Sequence, residues 1–311
     1  MLSLLTLLPL LSALLFPAPV RAWSSDNHTC ALSAPIYSCE NTTVIQDTCC
    51  SPTEGLVLVT QFWDTYTGLE SEGSVLPKNS WTIHGLWPDR CDGSYGQYCD
   101  LSRQYDPYPS PNTTTGKPDG EWVPVWEGGD IVTPLLQAYG KWDLLAYMNK
   151  YWKNLNQPDW VLWQHEYSKH ATCFTTFDTG YDGRPDCYGS LYANSTEAAL
   201  IDYYEAAIKG FVQYPTYEWL EAEGVVPSNE TSYDIAGIQK ILEERSGAAP
   251  YVGCSGPNKD ILTEVWYNTH SLGRPQSGFL KPVDAIGRTT NCNTASGVWY
   301  YTRSEGSEAE E

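Results

Sequence analysis

The chain has 311 residues and carries 38 acidic against 18 basic side chains, a formal charge of −20. That balance excludes a broad basic surface of the kind that holds a protein to nucleic acid or to anionic lipid, so any phosphate site must be local and small. Beyond the first 22 residues no apolar run is long enough to cross a bilayer, so no membrane anchor is expected in the mature chain.

Residues 1–22, MLSLLTLLPLLSALLFPAPVRA, are almost wholly apolar, with Val20 and Ala22 at the −3 and −1 positions of a cleavage site. They are expected to be a secretory signal peptide, although a basic n-region is missing. The ten cysteines include no CxxC pair, which removes zinc-ribbon and thioredoxin readings. For an exported chain they imply five disulfides, whose pairing composition alone leaves open. Sequons at Asn27, Asn41, Asn112, Asn194 and Asn229 fit a glycosylating secretory route. The expected location is extracellular, or a vacuolar or lysosome-like compartment.

In chain order, GLVLVTQFW (55–63) alternates β-branched residues between turn signals and predicts a strand. WTIHGLWPDR (81–90) places His84 at a strand end, ahead of a Trp-Pro turn. DPYPSPNTTTGKPDG (106–120) reads as an exposed loop within one domain. Residues 130–152 predict one helix or two, given Pro134 and Gly140. A helix begins near Asp159 and runs to His170, and Asn194 or Ser195 caps another that ends at Phe211. Residues 233–247 form a helix stopped by glycine, and DILTEVWYN (260–268) a late strand. The acidic tail, 303–311, is expected to be disordered. Strands and helices mix without regular alternation, which predicts an α+β single domain spanning 23–302.

The stretch WQHEYSKHATC (163–173) begins like a zinc-protease helix but spaces its histidines H-E-x-x-x-H. At about 100° per residue, Glu166 lies about 100°, Lys169 about 40° and His170 about 140° from His165. The histidines are too far round for the paired ligation of an i, i+4 motif, and a lysine between them repels a dication. No metal or other cofactor is therefore expected. Two imidazoles, a lysine and a carboxylate on one arc suit phosphodiester chemistry instead. Cleaving RNA through its own 2′-hydroxyl needs a base, an acid, and positive charge beside the five-coordinate phosphorus. An exposed polar helix face is the bland alternative for these residues, and burial in the core is that for Trp87.

WTIHGLWPD followed by WQHEYSKHATC resembles the two active-site segments of the ribonuclease T2 family, secreted acid endoribonucleases. CDGSYGQYCD (91–100), the Cys49-Cys50 pair, LVTQFWD (58–64) and EVW (264–266) extend the resemblance over most of the mature chain. It departs at Ala171, where many members carry glycine. The resemblance implies a central, mainly antiparallel sheet flanked by helices and stapled by disulfides. It implies His84 and His170 as the acid–base pair, with His170 as the base in the first step, an order that can be reversed. His165 would bind the scissile phosphate, supported by Glu166 and Lys169. Trp87 and Tyr95 would stack on the base 5′ of the cut, and Asp89 would accept from an adenine amino group. Gln61 is a candidate for a second base site. The implied disulfides are Cys30–Cys50, Cys39–Cys91, Cys49–Cys187, Cys99–Cys173 and Cys254–Cys292, two of them close enough to the site that reduction should impair activity.

The expected reaction is transesterification of single-stranded RNA to a 2′,3′-cyclic phosphate and then a 3′-phosphate, with DNA resistant for want of the attacking hydroxyl. An acidic optimum follows from the charge. At about pH 4–5 carboxylates lose charge while imidazoles gain it. A monomer is expected. The competing reading is a secreted binding or cytotoxic protein of the same fold whose role does not depend on catalysis.

Overall fold

The sheet is built on strands whose alternate residues have different jobs. In the first, Val57 and Val59 are essentially inaccessible on one side, while Leu56 and Leu58 line a cavity on the other. The computed structural model describes residues 30, 34–40, 45, 47–189 and 192–309. The signal segment, His28 and the sequons at Asn27 and Asn41 lie outside them.

Among the described residues seven strands and six α-helices follow in the order β1 (Leu56–Phe62), β2 (Thr82–Asp89), α1 (Val132–Ala138), α2 (Trp142–Tyr151), α3 (Asp159–Lys169), α4 (Ser195–Phe211), α5 (Thr216–Ala222), β3 (Ser232–Tyr233), α6 (Ile235–Ser246), β4 (Tyr251–Ser255), β5 (Ile261–Ser271), β6 (Leu280–Pro282) and β7 (Val298–Trp299). The sheet runs β2-β1-β5-β7-β3, with β4 and β6 also paired to β5. All pairings are antiparallel except β5 with β7. The protein is a single α+β domain with a mostly antiparallel sheet and five disulfides, as expected. Val57, Val59, Leu86, Val265 and Tyr267 form the buried apolar face. Helix α4 lies on it so closely that a Cβ on Gly210 would sit 3.0 Å from Val59 Cγ2.

Local chemistry explains the helix ends. The Asn194 side chain accepts from the N–H groups of Thr196 and Glu197 at 3.0 and 3.2 Å, capping α4. Asp234 does the same for α6, which stops at Gly247 with φ 90°. The 130–152 segment is two helices. Pro134 falls in the first turn of α1, where backbone N–H groups lack intrahelical partners anyway, and Gly140, with φ 67°, makes the break.

Three expectations are corrected. His84 is not at a strand end: β2 continues through Pro88, tolerated because β2 is the sheet edge and a proline there forfeits no ladder bond on its open side. The 106–120 loop is exposed along most of its length, but Asp106 at its start is fully buried. The tail is ordered up to the last described residue. Leu76 and Ala309 exchange backbone hydrogen bonds with Ser307 and Leu76, and the Arg303 guanidinium bonds the carbonyls of Asp64, Pro77 and Ser80 while lying 4.2 Å over the Trp63 ring. Helix α5 and strand β4 were not foreseen.

The disulfides join Cys30–Cys50, Cys39–Cys91, Cys49–Cys187, Cys99–Cys173 and Cys254–Cys292. Cys39–Cys91 tethers the turn after β2, and Cys99–Cys173 ties the segment beyond it to the end of α3.

Candidate active site

His84 and Trp87 are three residues apart, so in an unbroken strand they would face opposite sides. The β1–β2 register slips between Thr60 and Gln61: Thr60 pairs with Gly85 and Gln61 with Ile83, leaving His84 as an extra residue. This bulge brings His84 to the same face as Gly85, Trp87 and Asp89. His84 is held there by the Phe62 ring stacked at 3.6 Å and the Trp87 indole edge-on at 4.7 Å. Its carbonyl accepts from the Trp152 indole N–H at 2.9 Å.

Helix α3 crosses over this bulge. The Glu166 side chain is fully buried against Gly85; a Cβ there would lie 1.9 Å from Glu166 Oε2. Only glycine permits that approach. Trp87 Nε1–H donates to Glu166 Oε2 at 2.7 Å, and Glu166 Oε1 lies 3.4 Å from His84 Nε2. Burial pushes the Glu166 carboxyl up to about 7, against the opposing pull of His165, the Trp87 hydrogen bond and Lys169. His170 caps the end of α3 and stacks on the Trp87 indole at 4.8 Å. Burial first, then the neighbouring Lys169 and imidazoles, hold His84 and His170 well below the ordinary histidine value. Burial also lowers Lys169, which makes no ion pair among the described residues.

The opposite side of α3 positions His165. Gln164 and Ser168, one turn apart, hold the backbone of Tyr105 from both sides at 2.6 and 2.8 Å. That brings Asp106 to His165, whose Nδ1 lies 2.6 Å from Asp106 Oδ2, while Tyr98 Oη donates to the same oxygen at 2.8 Å. With Nδ1 engaged by the Asp106 carboxylate, Nε2 is the ring nitrogen left to meet a ligand. Burial favours the neutral Asp106 carboxyl, but the hydrogen bond and charge of His165 outweigh it, so its pKa falls.

His84, Trp87, Asp89, Tyr95, Lys169 and His170 all line one cavity of about 470 Å³ on the mixed face of the sheet. The Asp89 side chain makes no hydrogen bond to any described residue, and burial pushes its carboxyl up to about 7. Tyr95 is 63% exposed and pairs its backbone with Asp89 across a tight turn, where Arg90 N–H reaches Ser94 O at 2.7 Å and Gly93 has φ 81°.

Gln61 does not join this group. It faces the buried side of the sheet, where its amide donates to Tyr214 O at 2.8 Å and accepts from Thr216 Oγ1 at 2.7 Å. The fifth histidine, His270, lies apart beside Glu40. Sequence reasoning missed Asp106, Phe62, Gly85 and Asn268. A signal for Asn268 existed: in β5, Glu264, Trp266 and Asn268 alternate with buried Val265, Tyr267 and Thr269, so a polar and aromatic row marks the cavity side.

An α+β domain that brings two imidazoles and a lysine to an aromatic cavity, with the buried Glu166 carboxyl behind them and His165 beside it on the same helix, has the groups a nucleolytic enzyme needs. The comparisons agree. The model of the Ribonuclease T2 family matches residues 54–281, and the chain belongs to that family as a T2-type ribonuclease. It is 39% identical over 264 residues to Ribonuclease Trv of Hypocrea rufa, covering 85% of this chain and 94% of that one. It is 34% identical over 276 residues to Ribonuclease T2 of Aspergillus oryzae, covering 88% and 84%. Among solved structures, that of Actibind, described as a T2 ribonuclease, aligns with a TM-score of 0.67 at 29% identity over 90% of this chain and 98% of that one.

Proposed function

We propose that this ribonuclease is exported, needs no metal, and cleaves single-stranded RNA by transesterification. The observation that carries the reading is the convergence of His84, on a strand bulge, with Lys169 and His170, at the end of a helix, in one cavity beside Trp87. His170 takes the proton of the 2′-hydroxyl, whose oxygen attacks phosphorus. The departing 5′-oxygen receives a proton from His84, leaving a 2′,3′-cyclic phosphate. Water opens the ring to a 3′-phosphate with the two imidazoles exchanging roles. His165 Nε2 and Lys169 hold the phosphoryl oxygens, and Lys169 supplies the charge that a metal would otherwise provide. Glu166, neutral below about pH 7, can donate a hydrogen bond to the same group.

Both acid–base imidazoles resist protonation, yet one must carry a proton, which supports an acidic optimum; a bound phosphate favours the charged form. Trp87 and Tyr95 sandwich the base 5′ of the cut, an interaction of about 1–3 kcal/mol that all four bases provide. Asp89, neutral below about pH 7, offers one donor and one acceptor. That suits adenine and leaves other bases admissible. Sequons at Asn112, Asn194 and Asn229 are exposed, and Asn194 caps α4 through Oδ1, leaving its nitrogen for a glycan.

The test is digestion of single-stranded RNA at acidic pH with chelator present, with product ends identified by mass, for wild type, His84→Phe and His170→Phe. Cyclic phosphates from wild type alone are expected. A substrate with a 5′-bridging sulfur, whose leaving group needs no proton, should rescue His84→Phe and not His170→Phe. Rescue of the other variant would reverse the two roles, and no cleavage by folded wild type would refute the reading.

A further inference from the structure

The cavity does not end at the base pocket. From Trp87 it continues across the sheet to Trp266, Tyr251 and Arg288. The strand register sets this line: Gly85 of β2 pairs with Thr60, Thr60 with Trp266 of β5, and Trp266 with Tyr251 of β4. Three strand spacings separate Gly85, beneath the catalytic carboxyl, from Tyr251, about 14 Å. Along that row the rings are in contact. Trp87 meets Trp266 at 5.1 Å and 68°, and Trp266 meets Tyr251 at 4.4 Å and 32°. The row is closed on one side by Ile286, which packs against the turn that presents Tyr95; a Cβ on Gly93 would lie 3.2 Å from Ile286 Cγ2.

Arg288 stands at the far end, exposed and close enough to Tyr251 to act on its hydroxyl. It makes no hydrogen bond or ion pair to any other described residue. It is thus left without a carboxylate among the described residues at the mouth of the cavity. A guanidinium is also the side chain best matched to a phosphate, through its planar fork of donors.

Resting on the reading above, we propose that Tyr251, Trp266 and Arg288 form a subsite for the nucleotide immediately upstream of the base pocket, with Arg288 binding the phosphate that joins the two. The direction follows from the chemistry. The nucleotide held at Trp87 directs its 3′-phosphate to the imidazoles, so its 5′-phosphate leaves away from them, along the row that ends at Arg288. Tyr251 then gives the upstream base or ribose an aromatic platform. The protein is thereby adapted to the interior of an RNA chain and not to its 5′ end, because a dinucleoside monophosphate leaves this subsite empty.

The experiment compares three substrates of one sequence: a dinucleoside monophosphate, the same molecule with a 5′-phosphate, and the trinucleotide. Cleavage is followed as KM, and affinity is measured separately with analogues carrying a 2′-deoxy sugar at the cut, which bind without reacting. Wild type should favour the 5′-phosphorylated dinucleotide over the plain one by ~10-fold. Arg288→Gln should bring that ratio close to one, while Arg288→Lys keeps part of it. The slope of log affinity for the trinucleotide against log salt should fall by about 0.7 in Arg288→Gln, as for one lost phosphate contact on a single strand. Tyr251→Leu should remove the added benefit of the third nucleoside while keeping that of the phosphate. An equal ratio in wild type and Arg288→Gln would overturn the subsite. Failure of wild type to cleave all three would overturn the reading beneath it, and the binding arm would still decide on Arg288.

Discussion

The two faces of the sheet are made by the same strands from alternate residues, and they follow opposite rules. On the face under α4, Val57, Val59, Leu86, Val265 and Tyr267 are all apolar or aromatic and at most 2% exposed. On the other, Thr60, Trp87, Asp89, Trp266 and Asn268 mix hydroxyl, carboxyl, amide and indole groups, and beside them buried His84 Nδ1 and Glu166 Oε1 lack hydrogen-bond partners among the described residues. Unsatisfied buried groups of this kind cost stability. The difference teaches where each property resides: one face and the disulfides supply the folding free energy that lets the other hold carboxyls and imidazoles in the wrong protonation state for water.

Gly85→Ala should break the division most severely. The new methyl would collide with Glu166 Oε2 at 1.9 Å, and the carboxyl, Trp87 and His84 must shift. A fall in kcat of about 100-fold is expected with the fold retained, read by steady-state kinetics beside circular dichroism. Asp106→Asn should act at the edge of the same face. Losing the charged hydrogen bond to His165 should cost about 10- to 100-fold in kcat/KM, mostly through KM if His165 binds the phosphate. An effect confined to kcat would place His165 in proton transfer instead.

Val265→Ala probes the other face. Removing two buried methyl groups should cost about 2 kcal/mol in denaturant unfolding and leave activity per folded molecule unchanged. The smallest effect concerns pH and both faces together. Burial raises Glu166 and Asp89 to about 7, and Asp64 and Asp178 to about 6. Between their unfolded values and these, the folded chain binds protons that the unfolded chain releases, so stability rises as pH falls from about 7 toward about 4. His84 and His170 act in the opposite sense below about 6.5, since the unfolded chain takes up their protons. The carboxyls outnumber them, and acid also relieves the repulsion of a −20 chain. The thermal midpoint should therefore lie a few degrees higher near pH 5 than near pH 8, as calorimetry can test.

Much of the site was legible because it is local. One arc of α3 carries His165, Glu166, Lys169 and His170 by helical geometry alone, and their chemistry excludes a zinc helix. The bulge that turns His84 inward was not legible, since a register slip leaves no pattern in either strand. Asp106 was hidden for a different reason: a proline- and threonine-rich context marks a loop, and only the buried amide of Gln164 and hydroxyl of Ser168 reveal that its first residues are held in the interior. Gln61 stands apart because its strand position resembles that of a site residue while its side chain lies on the other face of the sheet. In the fold, α4 and α6 were readable from their caps, whereas short α5 and β4 depend on tertiary partners.

The tail has a consequence for resistance to proteolysis. An enzyme trimming the chain from its C-terminus meets paired backbone at Ala309, because that residue's N–H is bonded to Leu76 O and Leu76 N–H to Ser307 O. Behind that pairing, Arg303 is bound to three carbonyls from the segment between β1 and β2. An exopeptidase needs free chain to enter, and here each further cut must first break these contacts.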